Sequence, residues 1–112
     1  NQAMSDGITP ACIAAYEGHT TALEILVRAG CDVNQAKMNG VTPAFVAAQQ
    51  DHLAALDVLV NAGCDVNQAD KNGVTPACIA AEKGHTAALE VLVKAGCDVD
   101  RADEGGATPA FV

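Results

Sequence analysis

The chain has 112 residues, of which 50% are hydrophobic, and 14 acidic against six basic side chains give it a formal net charge of −8. This length and apolar content suit about one domain with a buried core. The charge has the wrong sign for neutralising phosphates, so we expect neither nucleic acid nor an anionic membrane as a partner.

Three near-copies of one segment follow each other at a fixed step of 33 residues. They occupy residues 1–33, 34–66 and 67–99, and a partial fourth copy occupies residues 100–112. Self-similarity at such a period is typical of a stacked repeat architecture. We therefore predict a single repeat domain over residues 1–112. Because the chain begins in register with a repeat and ends inside one, we expect an excerpt from a longer array.

Each copy opens with a turn-prone stretch that ends in Asp-Gly or Asn-Gly, which favours a tight hairpin-like finger. Thr-Pro follows, and it predicts a helix start because Thr caps a helix and Pro suits the first helical position. The first helix of each copy should begin at Pro10, Pro43 and Pro76. Gly18 and Gly84 should end it in the left-handed conformation, whereas the second copy has Asp51 at that point.

A second helix follows in each copy, because apolar residues such as Leu23, Leu26 and Val27 recur at helical spacing. We predict these helices over residues 20–29, 53–62 and 86–95, each closed by a glycine. A Cys-Asp-Val segment then leads back to the next finger. The sequence thus predicts an all-α protein made of helix-turn-helix units that are joined by β-hairpin-like loops.

The repeated motifs resemble those of the ankyrin repeat family along the whole chain. The resemblance is carried by Thr-Pro-Ala with a following Ala-Ala, by Gly-His, and by Leu-Val-Xaa-Ala-Gly-Cys-Asp-Val-Asn at matching offsets. It implies an ankyrin-repeat α-solenoid. The family usually has Thr-Pro-Leu-His, whereas this chain replaces the Leu by Ala and the His by Cys12, Phe45, Cys78 or Phe111. That histidine bonds neighbouring loop backbone in the family, so this chain must satisfy those groups differently.

His19, His52 and His85 recur once per copy and invite a metal hypothesis. Helices pack about 8 to 10 Å apart, so these side chains cannot share an ion whose ligands lie about 2 Å away. We therefore interpret them as structural residues of the inter-helix turn. The acidic residues that recur in the loops and second helices do not cluster as calcium ligands would, so we expect no metal and no cofactor.

Five cysteines form an odd set that cannot pair completely, which favours a reducing, intracellular and cytoplasmic setting. They are Cys12, Cys31, Cys64, Cys78 and Cys97. We interpret them as small buried hydrophobic residues, while pairing within a copy, between the starts of the first helices and the ends of the second, stays open. No cysteine and histidine form a nucleophile and its base, and no phosphate-binding glycine motif is present, so we predict no enzyme.

Asn34 and Asn67 each follow a leucine, five residues and Asp-Val. This pattern is similar to the one that asparaginyl hydroxylases recognise in ankyrin repeats, so both asparagines are candidate hydroxylation sites. The alternative is that asparagine simply suits the turn.

Differences between the copies separate positions required for stacking from positions free to vary. They gather on the fingers and at the ends of the first helices. These candidate partner-binding residues are Met4, Ser5, Asp6, Ile8, Tyr16, Glu17, Lys37, Met38, Val41, Gln49, Gln50, Asp70, Lys71, Val74, Glu82 and Lys83. In the ankyrin family the matching positions line the concave groove, so the resemblance implies a module that binds another protein or peptide. The alternatives are surface drift, a self-associating scaffold with uncapped ends and, more remotely, an enzyme or metal protein.

Overall fold

The computed structural model describes residues 8–97, which form three consecutive helix pairs. The pairs are α1 (Pro10–Glu17) with α2 (Thr20–Arg28), α3 (Pro43–Gln49) with α4 (Leu53–Asn61), and α5 (Pro76–Lys83) with α6 (Thr86–Lys94). A short 3₁₀ helix, Met38–Gly40, precedes α3. The predicted residues Met4, Ser5 and Asp6, and the partial fourth copy, lie outside the described residues.

The helices stack in two rows. In the first-helix row α3 packs between α1 and α5, and in the second-helix row α4 packs between α2 and α6. Alanines such as Ala15 and Ala48 are completely buried in the first-helix row, and their small side chains allow close approach. Leu23, Leu56 and Leu92 are completely buried on the second helices, and each buried leucine contributes about 1.5–3 kcal/mol to the stability of the fold. The predicted all-α solenoid is confirmed for these residues.

The first helices begin where the sequence predicts, because each start is encoded locally. Thr42 lies in the extended conformation before Pro43, and its Oγ1 accepts a hydrogen bond of 3.1 Å from the amide of Phe45. Thr9 and Thr75 make the same bond in the other two copies. All three threonines are buried, so each cap also satisfies a hydroxyl that water does not reach.

The ends of the first helices also follow the prediction. Gly18 has φ +72° and Gly84 has φ +74°, the left-handed values that a helix-ending glycine adopts. Asp51 takes the same region with φ +59° although it has a side chain. The second helices end at Arg28, Asn61 and Lys94, one residue earlier than predicted, because the following alanine is the cap and the glycine after it turns the chain.

The fingers are hairpin-like but contain no strand within residues 8–97. The amide of Lys37 donates to Val41 O at 2.8 Å, and the amide of Asp70 donates to Val74 O at 2.9 Å. A second backbone bond of 3.0 Å closes the turn of each finger, from Gly40 to Lys37 O and from Gly73 to Asp70 O. A single bond of 2.8 Å, from the Lys71 amide to Asn39 O, joins the two fingers. Gly40 permits this approach, since a Cβ there would lie 3.0 Å from the Lys71 nitrogen.

Candidate functional site

The candidate site lies where the fingers meet the first-helix row, and we call this surface the groove. Between the first two helix pairs the groove deepens into a cavity of about 450 Å³, which we call the inter-repeat pocket. The first copy lines it with Ile8, Cys12, Ile13, Tyr16 and Glu17. The second copy lines it with Lys37, Val41, Phe45, Val46 and Gln49. The pocket therefore belongs to the junction between two copies.

The structure brings together only part of the predicted binding residues. The pocket contains Ile8, Tyr16, Glu17, Lys37, Val41 and Gln49. Outside it, exposed positions hold Met38, Gln50, Lys71, Glu82 and Lys83, and half-buried positions hold Asp70 and Val74. Asp70 has a structural role besides, because its Oδ1 accepts hydrogen bonds from the amides of Asn72 and Val74 at 2.8 and 3.0 Å.

Four pocket residues were not predicted, namely Cys12, Ile13, Phe45 and Val46. Sequence comparison between the copies assigned them to stacking. Cys12 is only 2% exposed, and its thiol lies 3.7 Å from Val41 O and 3.9 Å from Gln35 O, the acceptors of its weak hydrogen bonds. One signal was available in the sequence, since this position holds Cys12 in the first copy and Phe45 in the second.

Charged side chains stand on both sides of the inter-repeat pocket. Lys37 belongs to the finger, and Glu17 ends α1 on the other side. Within residues 8–97 ion pairing is confined to the contact between His85 and Asp51, so neither Lys37 nor Glu17 is neutralised there. Further along the groove, Lys71 is exposed on the next finger and Glu82 is exposed near the end of α5. At the inter-repeat pocket the finger side thus carries a cation and the helix-end side an anion, whereas further along the groove Asp70 on the finger and Lys83 at the end of α5 add charges of the opposite sign.

The repeated histidines connect neighbouring copies. His52 Nε2 donates a hydrogen bond of 3.0 Å to Tyr16 O, and His85 Nε2 donates one of 3.1 Å to Gln49 O. Each of these histidines precedes a second helix and reaches back to the first helix of the copy before it. His19 precedes α2 in the same way and is exposed. His52 and His85 therefore have a structural role beside the inter-helix turn, in agreement with their interpretation as structural residues.

The five cysteines are free thiols and differ in burial. Cys12 and Cys78 are buried as predicted, whereas Cys31, Cys64 and Cys97 are only half-buried because they lie in the return loops at the edge of the core. Burial, together with the neighbouring Asp65 carboxylate, raises the pKa of the Cys64 thiol to about 11. Burial and Asp32 also raise the pKa of Cys31. These shifts favour the thiol over the nucleophilic thiolate.

The return loops carry local hydrogen bonds at the candidate hydroxylation sites. Asn34 is half-buried, and its Oδ1 accepts a bond of 2.7 Å from the amide of Asp65 in the following return loop. Its own amide donates to Asp32 Oδ1 at 2.9 Å. The amide of Asn67 donates to Asp65 Oδ1 at 3.0 Å in the same manner. Asparagine therefore has a structural role here, as the turn interpretation expects.

Two general features of residues 8–97 bear on chemistry. Within this range no group of three or more His, Cys, Asp or Glu side chains is arranged to hold a metal ion. Among the helices described, none is both long enough and apolar enough to cross a membrane. The acidic residues Glu24, Asp57 and Glu90 of the second helices are exposed to solvent.

Comparison with known families gives a direct match. The family model described as ankyrin repeats (3 copies) matches residues 1–70 and residues 47–112, and the two matches together span the chain. A comparison with curated proteins finds no matching relative. The stacked helix pairs, the hairpin-like fingers and the match to this model agree, and the chain therefore belongs to the ankyrin repeat family.

Proposed function

We propose that this chain binds another protein or peptide through the groove, with no chemistry of its own. Ankyrin repeats are generally protein–protein interaction modules and are typically not enzymes. The observation that carries the proposal is that variable residues and the inter-repeat pocket occur at the same place. The residues that vary between otherwise similar copies include six that line the inter-repeat pocket, at an open site where apolar and charged groups are both accessible.

The chemistry of the groove favours a partner with apolar anchors and some acidic residues. Val41 and Val74 occupy equivalent finger positions and are half-buried, so they offer apolar contact along the row of fingers. Tyr16 is 51% exposed and combines a large apolar ring with a polar tip, the combination that is enriched at binding hot spots. Lys37 and Lys71 supply positive charge on the finger side. A preformed groove also spares this chain much of the ordering cost of binding.

A peptide library displayed on phage tests the proposal without a known partner. Peptides selected on the full chain are measured against Tyr16→Ala, Lys71→Glu and the control variant Glu90→Ala, whose side chain is exposed on α6. We expect Tyr16→Ala to weaken binding about tenfold, the effect of losing a moderate hot spot. Lys71→Glu should weaken it less and in a salt-dependent way. If both groove variants bind like Glu90→Ala, the groove is not the binding site.

The same proposal includes the extent and setting of the domain. We infer one domain over residues 1–112, made of three 33-residue copies and a partial fourth, that works in an intracellular, cytoplasmic compartment. Five free cysteines support a reducing setting, because such thiols oxidise readily elsewhere. No cofactor or metal enters this function.

A second candidate function is self-association into a scaffold. It is favoured by Ile25 on α2 and Val93 on α6, large apolar side chains that are 57% and 47% exposed in the first and last described helix pairs. Light scattering over a range of protein concentrations tests it. A mass that rises with concentration, and that falls back in Ile25→Lys, supports a scaffold, whereas a constant monomer mass removes it.

We also propose Asn34 and Asn67 as hydroxylation sites. The hydrogen bond between Asn34 Oδ1 and the Asp65 amide means that a modifying enzyme must first open this loop. Intact-mass measurement of protein from its native source, followed by peptide mapping, should find the added mass of one oxygen atom at either asparagine. If the peptides at both positions are unmodified, the hydroxylation proposal is wrong and only the turn interpretation remains.

A further inference from the structure

Two equivalent positions that line the inter-repeat pocket hold residues of different size. Cys12 and Phe45 occupy the same place in successive copies, directly after Thr-Pro-Ala. Both side chains are buried and both line the pocket, but the thiol of Cys12 is much smaller than the phenyl ring of Phe45. The pocket volume of about 450 Å³ lies in the range of pockets that accept compact ligands.

The walls of this pocket suit an aromatic group. The exposed ring of Tyr16 and the ring of Phe45 are both part of the lining, together with the apolar side chains of Ile13 and Val46. Aromatic groups gain additional stabilisation from offset or edge-to-face contacts with other rings, which an aliphatic side chain does not provide.

The rim of the pocket has one charge of each sign. Lys37 lies on the finger side and Glu17 lies on the helix-end side, and neither forms an ion pair within residues 8–97. A partner that inserts an aromatic group between them meets both charges at once. Charge complementarity therefore requires an acidic group on one flank of the anchor and a basic group on the other.

We propose that the inter-repeat pocket is an anchor pocket for one aromatic side chain of a partner segment in which an acidic and a basic residue flank the aromatic residue. The inference rests on the proposed binding function, and it names Cys12 as the residue that determines the specificity of the groove. The acidic flank faces Lys37, and the basic flank faces Glu17.

The chain itself supplies matched variants. Cys12→Phe places in the first copy the residue that the second copy already accommodates, and it fills the pocket. Cys78→Phe makes the same change at the equivalent, buried position of the third copy, which does not line the pocket. Ile13→Glu is a second pocket variant on a side chain that is 36% exposed, so it keeps the test valid if Cys12→Phe unfolds the chain. Circular dichroism identifies the folded variants.

Short capped peptides serve as probes in nuclear magnetic resonance titrations of the full, isotope-labelled chain. We use acetyl-Asp-Trp-Lys-amide as the matching probe and acetyl-Asp-Leu-Lys-amide as the aliphatic control. Acetyl-Lys-Trp-Lys-amide and acetyl-tryptophan-amide complete the set. The matching probe should shift the amides of pocket residues such as Ile13, Val41 and Val46 saturably, and it should bind about threefold more tightly than acetyl-tryptophan-amide.

The variants then separate the outcomes. Cys12→Phe and Ile13→Glu should weaken the matching probe about tenfold, whereas Cys78→Phe should retain it. Lys37→Glu makes both rims acidic and should reverse the preference in favour of acetyl-Lys-Trp-Lys-amide. Equal binding of the leucine probe, unchanged binding by Cys12→Phe and Ile13→Glu, or shifts confined to residues outside the pocket would overturn the proposal.

Three further results distinguish a failure of the anchor proposal from a failure of the proposed binding function. If acetyl-tryptophan-amide binds as tightly as the flanked peptide, the pocket takes a small aromatic molecule and the proposed partner segment is wrong. If phage-selected peptides lose affinity in Lys71→Glu but not in Cys12→Phe, the groove binds proteins without this anchor. If the library yields no peptide that binds the groove, the proposed function falls as well.

Discussion

Replacing His52 by alanine should weaken the contact between the first two helix pairs. The size of the resulting loss of stability can be estimated from the structure. The change removes the 3.0 Å hydrogen bond from His52 Nε2 to Tyr16 O, for which we expect about 0.5–1.5 kcal/mol. It also removes a ring that lies over Gly18, since a Cβ built there would meet His52 Nδ1 at 3.0 Å. With this lost packing, we expect the free energy of unfolding to fall by about 1–2 kcal/mol.

The equivalent histidines of the other two copies, His19 and His85, provide controls for this prediction. His85→Ala removes an equivalent bond of 3.1 Å to Gln49 O and a contact of 3.8 Å to Asp51, so its cost should be similar. His19 occupies the same position in the first copy, is exposed and makes no side-chain hydrogen bond within residues 8–97. His19→Ala should therefore change the free energy of unfolding by less than about 0.5 kcal/mol.

Urea denaturation followed by far-ultraviolet circular dichroism measures all three variants. Because repeat proteins are stabilised by contacts between neighbours, His52→Ala should also broaden the transition if the first helix pair begins to unfold separately. Equal losses of stability for His19→Ala and His52→Ala would refute the reasoning, since the inter-copy hydrogen bond would then contribute nothing measurable.

Three further predictions concern single positions. Thr42→Ala should lower the free energy of unfolding by about 1–2 kcal/mol, because the Phe45 amide loses its cap, and Thr42→Ser should retain most of it in the same assay. Gly84→Ala should cost about 1 kcal/mol in thermal unfolding through backbone strain at φ +74°, because no atom lies near the added Cβ. For Cys64 the pKa rises from 9.0 to about 11, so the folded thiol holds its proton more tightly than the unfolded one. Its stabilising contribution is complete below about pH 9 and is lost as the pH rises towards 11, and alkylation by iodoacetamide, followed by mass spectrometry, should stay slow at neutral pH. Rapid neutral alkylation of Cys64, but not of Cys12, would contradict this.

The sequence predicts best those features that a few neighbouring residues determine. The helix starts at Pro10, Pro43 and Pro76 depend on a threonine hydroxyl and an amide three residues later, so composition at that point is sufficient. The fingers have the predicted hairpin-like form, and their closure by short-range backbone bonds produces no strand within residues 8–97. The link from the Lys71 amide to Asn39 O joins residues 32 positions apart and has no local sequence signal.

The candidate site was predicted only in part for the same reason. Tyr16 and Lys37 were found because variation between copies marks surface positions. Cys12 was interpreted as a small buried residue, which agrees with its burial, and Phe45 is buried too, and yet both also line the pocket. Whether a buried side chain leaves a cavity depends on the distance between two helices that are far apart in the sequence.

Equivalent positions in this stack differ because each position depends on the copy beside it. Ile13, Val46 and Ile79 occupy one repeat position, and their exposed fractions are 36%, 3% and 7%. Val46 lies on α3, which packs between α1 and α5, whereas Ile13 lies on α1, the first helix described. The two reciprocal substitutions therefore have different effects. Cys12→Phe closes a pocket that opens towards the groove, whereas Phe45→Cys removes a buried ring. We expect the first substitution to act mainly on binding and the second on stability as well as on binding, because Phe45 also lines the pocket, with a loss of stability up to about the 3–5 kcal/mol of removing a buried ring.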